Sequence, residues 1–273
     1  MKTSLLDFRD KTAIITGAGS GIGRALAQAL ASRGCHLALA DINPDNLAET
    51  ASLVAHSGIR VSTHELDVAS RELVAGLPAE VSRHHPAIDL LFNNAGVAVG
   101  GHFLETTEAD FDWLFEINFH GVVRMTRAFL PMLLTRPDAH IVNTASLFGI
   151  IAPAGQTHYS ASKFAVRGFS DALRHELEGT SVGVSAVCPG GVATAIARSA
   201  RFSSALSKDT IAHQLEKSRR LLRKPPAHAA EIILAGVERR RPRILVGVDA
   251  RLGYWLERLM PTTYWSVLQR FGV

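Results

Sequence analysis

The chain lacks any apolar run long enough to cross a bilayer, has only two cysteines, and places no histidines at a metal-ligand spacing. A membrane-spanning helix needs about 20 consecutive apolar residues, and no stretch supplies them. The N-terminal "MKTSLLDFRDK" is broken by acidic residues almost at once, so no secretion signal is expected. Cys35 and Cys188 fit a reducing compartment, and a cytoplasmic location is expected. None of the 12 histidines belongs to an H-E-x-x-H or similar pattern, so no resident metal is expected. Repeats and low-complexity tracts are missing too.

What is present is a chain of 273 residues, 47% hydrophobic, enough for one sizeable core. The net charge of +4 is unevenly spread: from residue 195 onward there are 15 Lys and Arg against 6 Asp and Glu. "KSRRLLRK" (217–224) and "ERRRPR" (238–243) carry much of that surplus. Such runs are ordinarily solvated faces, with an anionic substrate or an acidic membrane surface as the alternatives. Without a nucleic-acid module they would give only salt-sensitive, nonspecific binding, and no nucleic-acid partner is expected.

Short apolar runs alternate with helical patterns. "TAIIT" (12–16), "HLALA" (36–40), "RVSTHEL" (60–66), "IDLLF" (88–92), "HIVNTA" (140–145), "GVSAVC" (183–188) and "RILVG" (243–247) read as strands, continuous enough in apolar character to be parallel and covered on both faces. The helix "GIGRALAQALASRG" stops at Gly34, and Pro44 starts the next. Repeated β-α units predict a single-domain α/β fold, a doubly wound, mostly seven-stranded parallel sheet with helices on both faces.

The first strand runs into "TGAGSGIGRALA". Gly17, Gly21 and Gly23 permit a tight turn and close approach of backbone to a ligand, and the helix that follows presents its positive end. A pyrophosphate fits there, although T-G-x-x-x-G-x-G is not the common dinucleotide spacing. Asp41 closes the second strand, where a carboxylate accepts from both adenosine ribose hydroxyls and repels a 2′-phosphate, which predicts NAD over NADP. Ser20 stands where a basic residue would bind that phosphate, and Arg24 and Arg60 are the competing cations. Asp67, with Val68, either contacts adenine or caps the helix beginning near Ser70. "NNAG" (93–96) follows the fourth strand with residues small enough for cofactor approach. Tyr159 and Lys163 in "YSASK" lie at i and i+4, on one helical face, so their polar tips can meet.

These stretches together resemble the short-chain dehydrogenase/reductase family over nearly the whole chain: "TGAGSGIG", "DV" at 67–68, "NNAG", Asn118 in "EINFHG", Ser146 in "NTASLFG", "YSASK", and "PGGVAT" at 189–194. The resemblance implies an oxidoreductase that moves a hydride between NAD(H) and a secondary alcohol or ketone. Tyr159 would be the general acid/base, helped toward phenolate by Lys163. Ser146 would donate to the substrate oxygen, and Asn118 would hold a water relaying protons from Lys163. The implied cofactor contacts are Gly17, Ser20, Gly21, Ile22, Gly23, Asp41, Asp67, Val68, Asn94, Ala95, Gly96, Tyr159, Lys163, Pro189, Gly190, Val192 and Thr194. His158, about 100° round the helix from Tyr159, is expected to be exposed or peripheral, as are His102 and His120.

The resemblance also implies a catalytic domain over 1–249 with a lid segment at about 190–224, helical from 203, and a homodimer or homotetramer. "VAVGGHF" (97–103) and "LFGIIAPAG" (147–155) contain no Lys, Arg or acidic side chain, so the expected substrate is hydrophobic; Arg198 and Arg201 could instead meet an anionic tail. Residues 250–273 read as a C-terminal extension of two amphipathic helices, with Leu252, Trp255, Leu256 and Leu259 on one face and a second cluster ending at Phe271. That face is expected to pack on the chain's own core or on a partner, with peripheral membrane contact the lesser alternative. The other functions considered are reduction of 3-oxoacyl thioesters and a catalytically silent NAD-binding regulator.

Overall fold

A computed structural model describes residues 5–55, 58–197, 199–202 and 206–270. Seven parallel strands form one sheet: β1 (Thr12–Thr16), β2 (His36–Asp41), β3 (Val61–Glu65), β4 (Leu90–Asn93), β6 (Ala139–Thr144), β7 (Val182–Pro189) and β9 (Arg243–Val246). Their order is β3-β2-β1-β4-β6-β7-β9, the doubly wound arrangement expected. The strand order reverses beside β1, so the crevice for a ligand opens at the carboxyl ends of β1 and β4. Two strands were not anticipated: β5 (Val99–Gly100) pairs in parallel with β8 (Arg201–Phe202), clipping together two segments that leave the sheet at different strands.

The central strands are apolar throughout because both faces are covered. One face holds a core of Ile15, Leu37, Leu39 and Phe92 with α1 (Gly21–Ala31), α2 (Pro44–Val54) and α8 (Pro226–Glu238). The other holds Ile14, Leu91, Ile141 and Val184 beneath α3 (Arg71–Ser82) and α5 (Gly121–Leu134). Local signals explain the helix ends. Asn43 caps α2, with Pro44 in its first turn, Ser70 caps α3, and Gly34 turns back at φ +76 after α1. α4 (Glu108–Phe115) joins α5 through a π turn, Glu116–His120, and α6 (Thr157–Glu176) carries the Tyr-Lys pair.

Strand β3 departs from the continuous apolar pattern. At the sheet edge it alternates, burying Ser62 and His64 and exposing Thr63 and Glu65. Ser62 Oγ lies 2.8 Å from His64 Nε2 and 2.9 Å from His85 Nε2, and His64 Nδ1 meets Glu80. Another buried histidine, His140 in β6, contacts Ser185 Oγ at 2.7 Å. Burial lowers the pKa of both His85 and His140 to about 4. A depressed histidine pKa means the unfolded chain binds the extra proton first, so stability is complete above pH 6.5 and falls as pH drops toward 4. For His140 the loss approaches about 3 kcal/mol at the acid end. Urea unfolding at pH 7 and pH 4.5 should show a smaller pH dependence in His140→Phe than in the wild type.

The stretch expected to be a lid contains a short 3-10 turn at Ala195–Ala197, strand β8 and α7 (Lys208–Leu221); Arg198 and 203–205 lie outside the described residues. The extension forms α9 (Val248–Leu259) and α10 (Tyr264–Arg270), with Phe271 beyond the described residues. α10 is anchored where Ala152 N donates to Tyr264 Oη at 2.9 Å. α9 does not lay its large apolar face on the chain's own core. Its buried residues are the small Ala250 and Gly253, while Leu252, Trp255 and Leu259 point away from the body. No described helix is long and apolar enough to cross a membrane.

Candidate active site

The Gly-rich turn is fixed by contacts that only glycine permits. Gly17 and Gly21 adopt φ +66 and +53. A Cβ on Gly23 would stand 2.0 Å from the Gly17 carbonyl oxygen, so the helix can begin this close to β1 only without a side chain there. Ser20 occupies the N-cap of α1 in extended conformation, and its side chain caps none of the first-turn N-H groups. Thr16 Oγ1 accepts from the N-H groups of Asn94 and Ala95 at 3.0 and 3.1 Å, and Asn94 Nδ2 donates to the Thr16 and Gly17 carbonyls. These bonds lock "NNAG" to the turn. Thr194 comes in from beyond β7, and its side chain borders Gly21. The expected contacts after β1, β4 and β7 therefore meet at the carboxyl edge of the sheet; Pro189 ends β7 and Gly190 N donates to Val246 O.

Asp41 bridges this region from β2. Its Oδ2 accepts from Gly19 N at 2.8 Å and its Oδ1 from Asn43 N at 2.9 Å. Arg24, one competing cation, is committed elsewhere: it donates to Gly19 O, Thr50 Oγ1 and Glu49. Arg60 precedes β3 and so sits at the amino edge of the sheet, opposite the crevice. Both readings of the "DV" pair were open. Asp67 Oδ1 accepts from Ala69 N at 2.8 Å, closing a turn ahead of α3, whose N-cap is Ser70. Val68 is buried against Gly121.

Ser146, just beyond β6, accepts from Phe148 N at 3.1 Å and lies near enough to Tyr159 for its hydroxyl to act on the phenol. Lys163 is 2% exposed; its Nζ lies 5.7 Å from the Tyr159 ring centroid and donates to Thr144 O at 3.0 Å. Gly96 sits between Asn118 and Lys163: a Cβ there would come within 3.2 Å of Asn118 Oδ1 and 3.4 Å of Lys163 Nζ. The π turn places Asn118 in the interior. Its Oδ1 accepts from Val97 N at 2.8 Å, and its Nδ2 donates to Val97 O at 3.0 Å and Ser162 Oγ at 3.3 Å. The four expected catalytic side chains are thus gathered in one place.

The electrostatics differ from the sequence reading. Burial pushes the Tyr159 phenol above its ordinary value, and the Ser146 hydroxyl opposes that shift. The pKa of Lys163 is itself lowered to about 8, because its ammonium is cut off from water. Of the two readings of His158, exposed or peripheral, the exposed one fails. It is 1% exposed, its Nε2 is bonded to Thr106 Oγ1, and its ring lies against Phe111. It ties the start of α6 to the loop before α4. His102 is exposed and His120 lies beside Phe119.

Some structural partners of the site carried no sequence signal. Asn93 donates to Thr126 and Asn143, and Asn143 to Ser170, a buried chain of amides and hydroxyls beneath the site that links β4, β6, α5 and α6. The Arg201 guanidinium stacks 3.5 Å from the Trp113 ring centroid and 3.9 Å from Asp110. A groove of about 550 Å³ lined by Ala152, Pro153, Thr157, Phe164 and Trp265 opens on the other side of α6 from Tyr159, so it is not a substrate cavity for these groups.

Residues 11–204 match the short chain dehydrogenase family profile. The SadH protein of Mycobacterium tuberculosis is 42% identical over 259 residues, covering 94% of this chain and 93% of its own. A short-chain dehydrogenase/reductase from Burkholderia phymatum, solved in complex with NAD, is 33% identical with a TM-score of 0.86, covering 93% and 95% of the two chains. A metagenomic short-chain oxidoreductase in complex with NADP is 31% identical with a TM-score of 0.64 over 68% of this chain and 85% of its own. The chain belongs to the short-chain dehydrogenase/reductase family, and it is an oxidoreductase built on an NAD(P)-binding Rossmann fold.

The residues present fit that dinucleotide. The glycine cradle, the α1 terminus with no side-chain cap and the carboxylate of Asp41 offer the pyrophosphate and ribose the groups each requires.

Proposed function

We propose that this protein oxidises a hydrophobic secondary alcohol, or reduces the matching ketone, with NAD(H) as its cofactor. The observation that carries the reading is the meeting of Ser146, Tyr159 and Lys163 beside Gly96, at the edge where the glycine cradle opens. When bound, the nicotinamide accepts or supplies the hydride. The protein moves the proton: Tyr159 Oη takes it from, or gives it to, the substrate oxygen, and Ser146 Oγ donates to the same oxygen as its charge changes. Lys163 adds positive charge near the phenol. The side-chain amide of Asn118 already bonds Val97 and Ser162, so in this structure it holds the loop after β4 to α6.

The preference for NAD rests on Asp41. Its carboxylate would repel a 2′-phosphate, and Arg24 is held by Glu49 and the Gly19 carbonyl. Asp41→Ser should lower the ratio of NAD to NADP affinity by about tenfold or more, measured by calorimetric titration of each cofactor.

Support for an apolar substrate comes from Phe148, edge-on to the Tyr159 ring at 6.2 Å. Arg201 is occupied by Trp113 and Asp110, which weakens the case for an anionic tail and with it the thioester reading. The test is a panel of secondary alcohols of rising apolar size beside polyols, read as reduced cofactor. Higher kcat/KM for the apolar members supports the reading; turnover confined to polyols refutes the apolar pocket.

A further inference from the structure

Helix α9 is amphipathic in the reverse of the usual sense. At about 100° per residue, Val248, Leu252, Trp255 and Leu259 fall in one narrow stripe, and they are 68%, 66%, 56% and 75% exposed. The opposite side carries the small Ala250 and Gly253, and Gly253 lies against Leu147. Close packing of small residues, with Tyr254 against the core, thus brings the helix onto the body and leaves Val248, Leu252, Trp255 and Leu259 outward. Leu221, 55% exposed, ends α7 close by: its carbonyl borders Gly191, which also receives Asp249 of α9.

The charges beside this stripe are of one sign. Arg251 and Arg258, both exposed, flank it along one side. Exposed Arg223 follows Leu221, and the Lys224 side chain lies against Gly247, at the start of α9. The two acidic residues of α9 are turned elsewhere. Asp249 accepts from Gly191 N, and Glu257 lies on the side opposite Val248.

We propose that the outward face of α9 beds into an anionic lipid surface, its apolar stripe in the acyl boundary and its arginines among the head groups. A second copy of the chain is a poorer occupant. Two such helices paired antiparallel, face to face, would bring Arg251 and Arg258 of each beside those of the other, with no acidic residue on the stripe to neutralise them. A bilayer accepts the same face without that repulsion. The inner side of α9 touches Leu147, the neighbour of Ser146, so the docked surface stands about one helix diameter, roughly 10 Å, from that loop.

The test uses the full chain with vesicles of phosphatidylcholine alone or mixed with phosphatidylglycerol, read by co-sedimentation and tryptophan emission. The proposal expects binding to the anionic vesicles about tenfold or more above the neutral ones, weakened by salt. Leu252→Ser with Leu259→Ser should lose about tenfold of that binding while turnover of a water-soluble alcohol stays unchanged. Because those side chains are solvent-exposed, the fold should survive, and the thermal transition checks it. Arg251→Gln is an independent second variant, expected to weaken the anionic preference without touching the apolar stripe. Equal or no binding to the two vesicle types overturns the proposal. So does a dimer that the double serine variant converts to monomer, since a second copy would then own the face.

Discussion

Tyr159→Phe is expected to lower turnover by about 10²- to 10⁴-fold while leaving NAD affinity nearly unchanged. The substitution removes one oxygen and keeps the ring, so the edge-on contact with Phe148 survives. What is lost is the hydroxyl near Ser146 that, on the proposed reading, exchanges a proton with the substrate oxygen. The cofactor contacts on the Gly-rich turn and Asp41 lie on other elements and are untouched. Steady-state rates together with calorimetric NAD titration separate the two effects. A variant that keeps most of its activity would remove Tyr159 from the proton path.

Lys163→Met should also abolish most turnover, yet make the protein more stable at neutral pH. The ammonium is 2% exposed, and burial lowers its pKa from 10.5 to about 8. At pH 7 the native state must carry that charge away from water, while the unfolded chain carries it in water. A lowered lysine pKa means the unfolded chain holds the proton more tightly, so wild-type stability rises with pH between about 8 and 10.5. Below that window the penalty is complete, on the order of 3 kcal/mol less what the bond to Thr144 O returns. Methionine fills nearly the same volume without the charge. The gain in unfolding free energy should therefore be largest at pH 7 and shrink toward pH 10. A variant less stable than wild type at pH 7 would show that the Thr144 bond outweighs burial.

The strand pattern was legible because central parallel strands are buried on both faces and read as continuous apolar runs. β3 broke the rule because an edge strand shows one face to solvent, and its buried Ser62 and His64 satisfy one another with His85 and Glu80. The β5–β8 clip carried no signal: two residues on each side cannot show a periodicity. Ser146, Tyr159 and Lys163 could be marked as candidates from motif order, and the fold brings them together. The pKa directions could not be read from spacing, since burial decides them and burial is a property of the packed structure. His158 shows the same limit. Its angle from Tyr159 was right, but what fills that angle is Phe111 and Thr106, which arrive from another helix and its preceding loop. On α9 the helical period was visible, whereas the side that faces the body was decided by Gly253 fitting against Leu147.

If an apolar secondary alcohol passes its hydride to NAD while Tyr159 takes the proton, alcohols deuterated at the carbinol carbon should label the cofactor. Mass spectrometry of the nicotinamide recovered after incubation with the protein and NAD is expected to show one deuterium in the reduced form with the wild type and almost none with Tyr159→Phe. Label appearing equally with both proteins, or with neither across the apolar panel, would contradict that transfer.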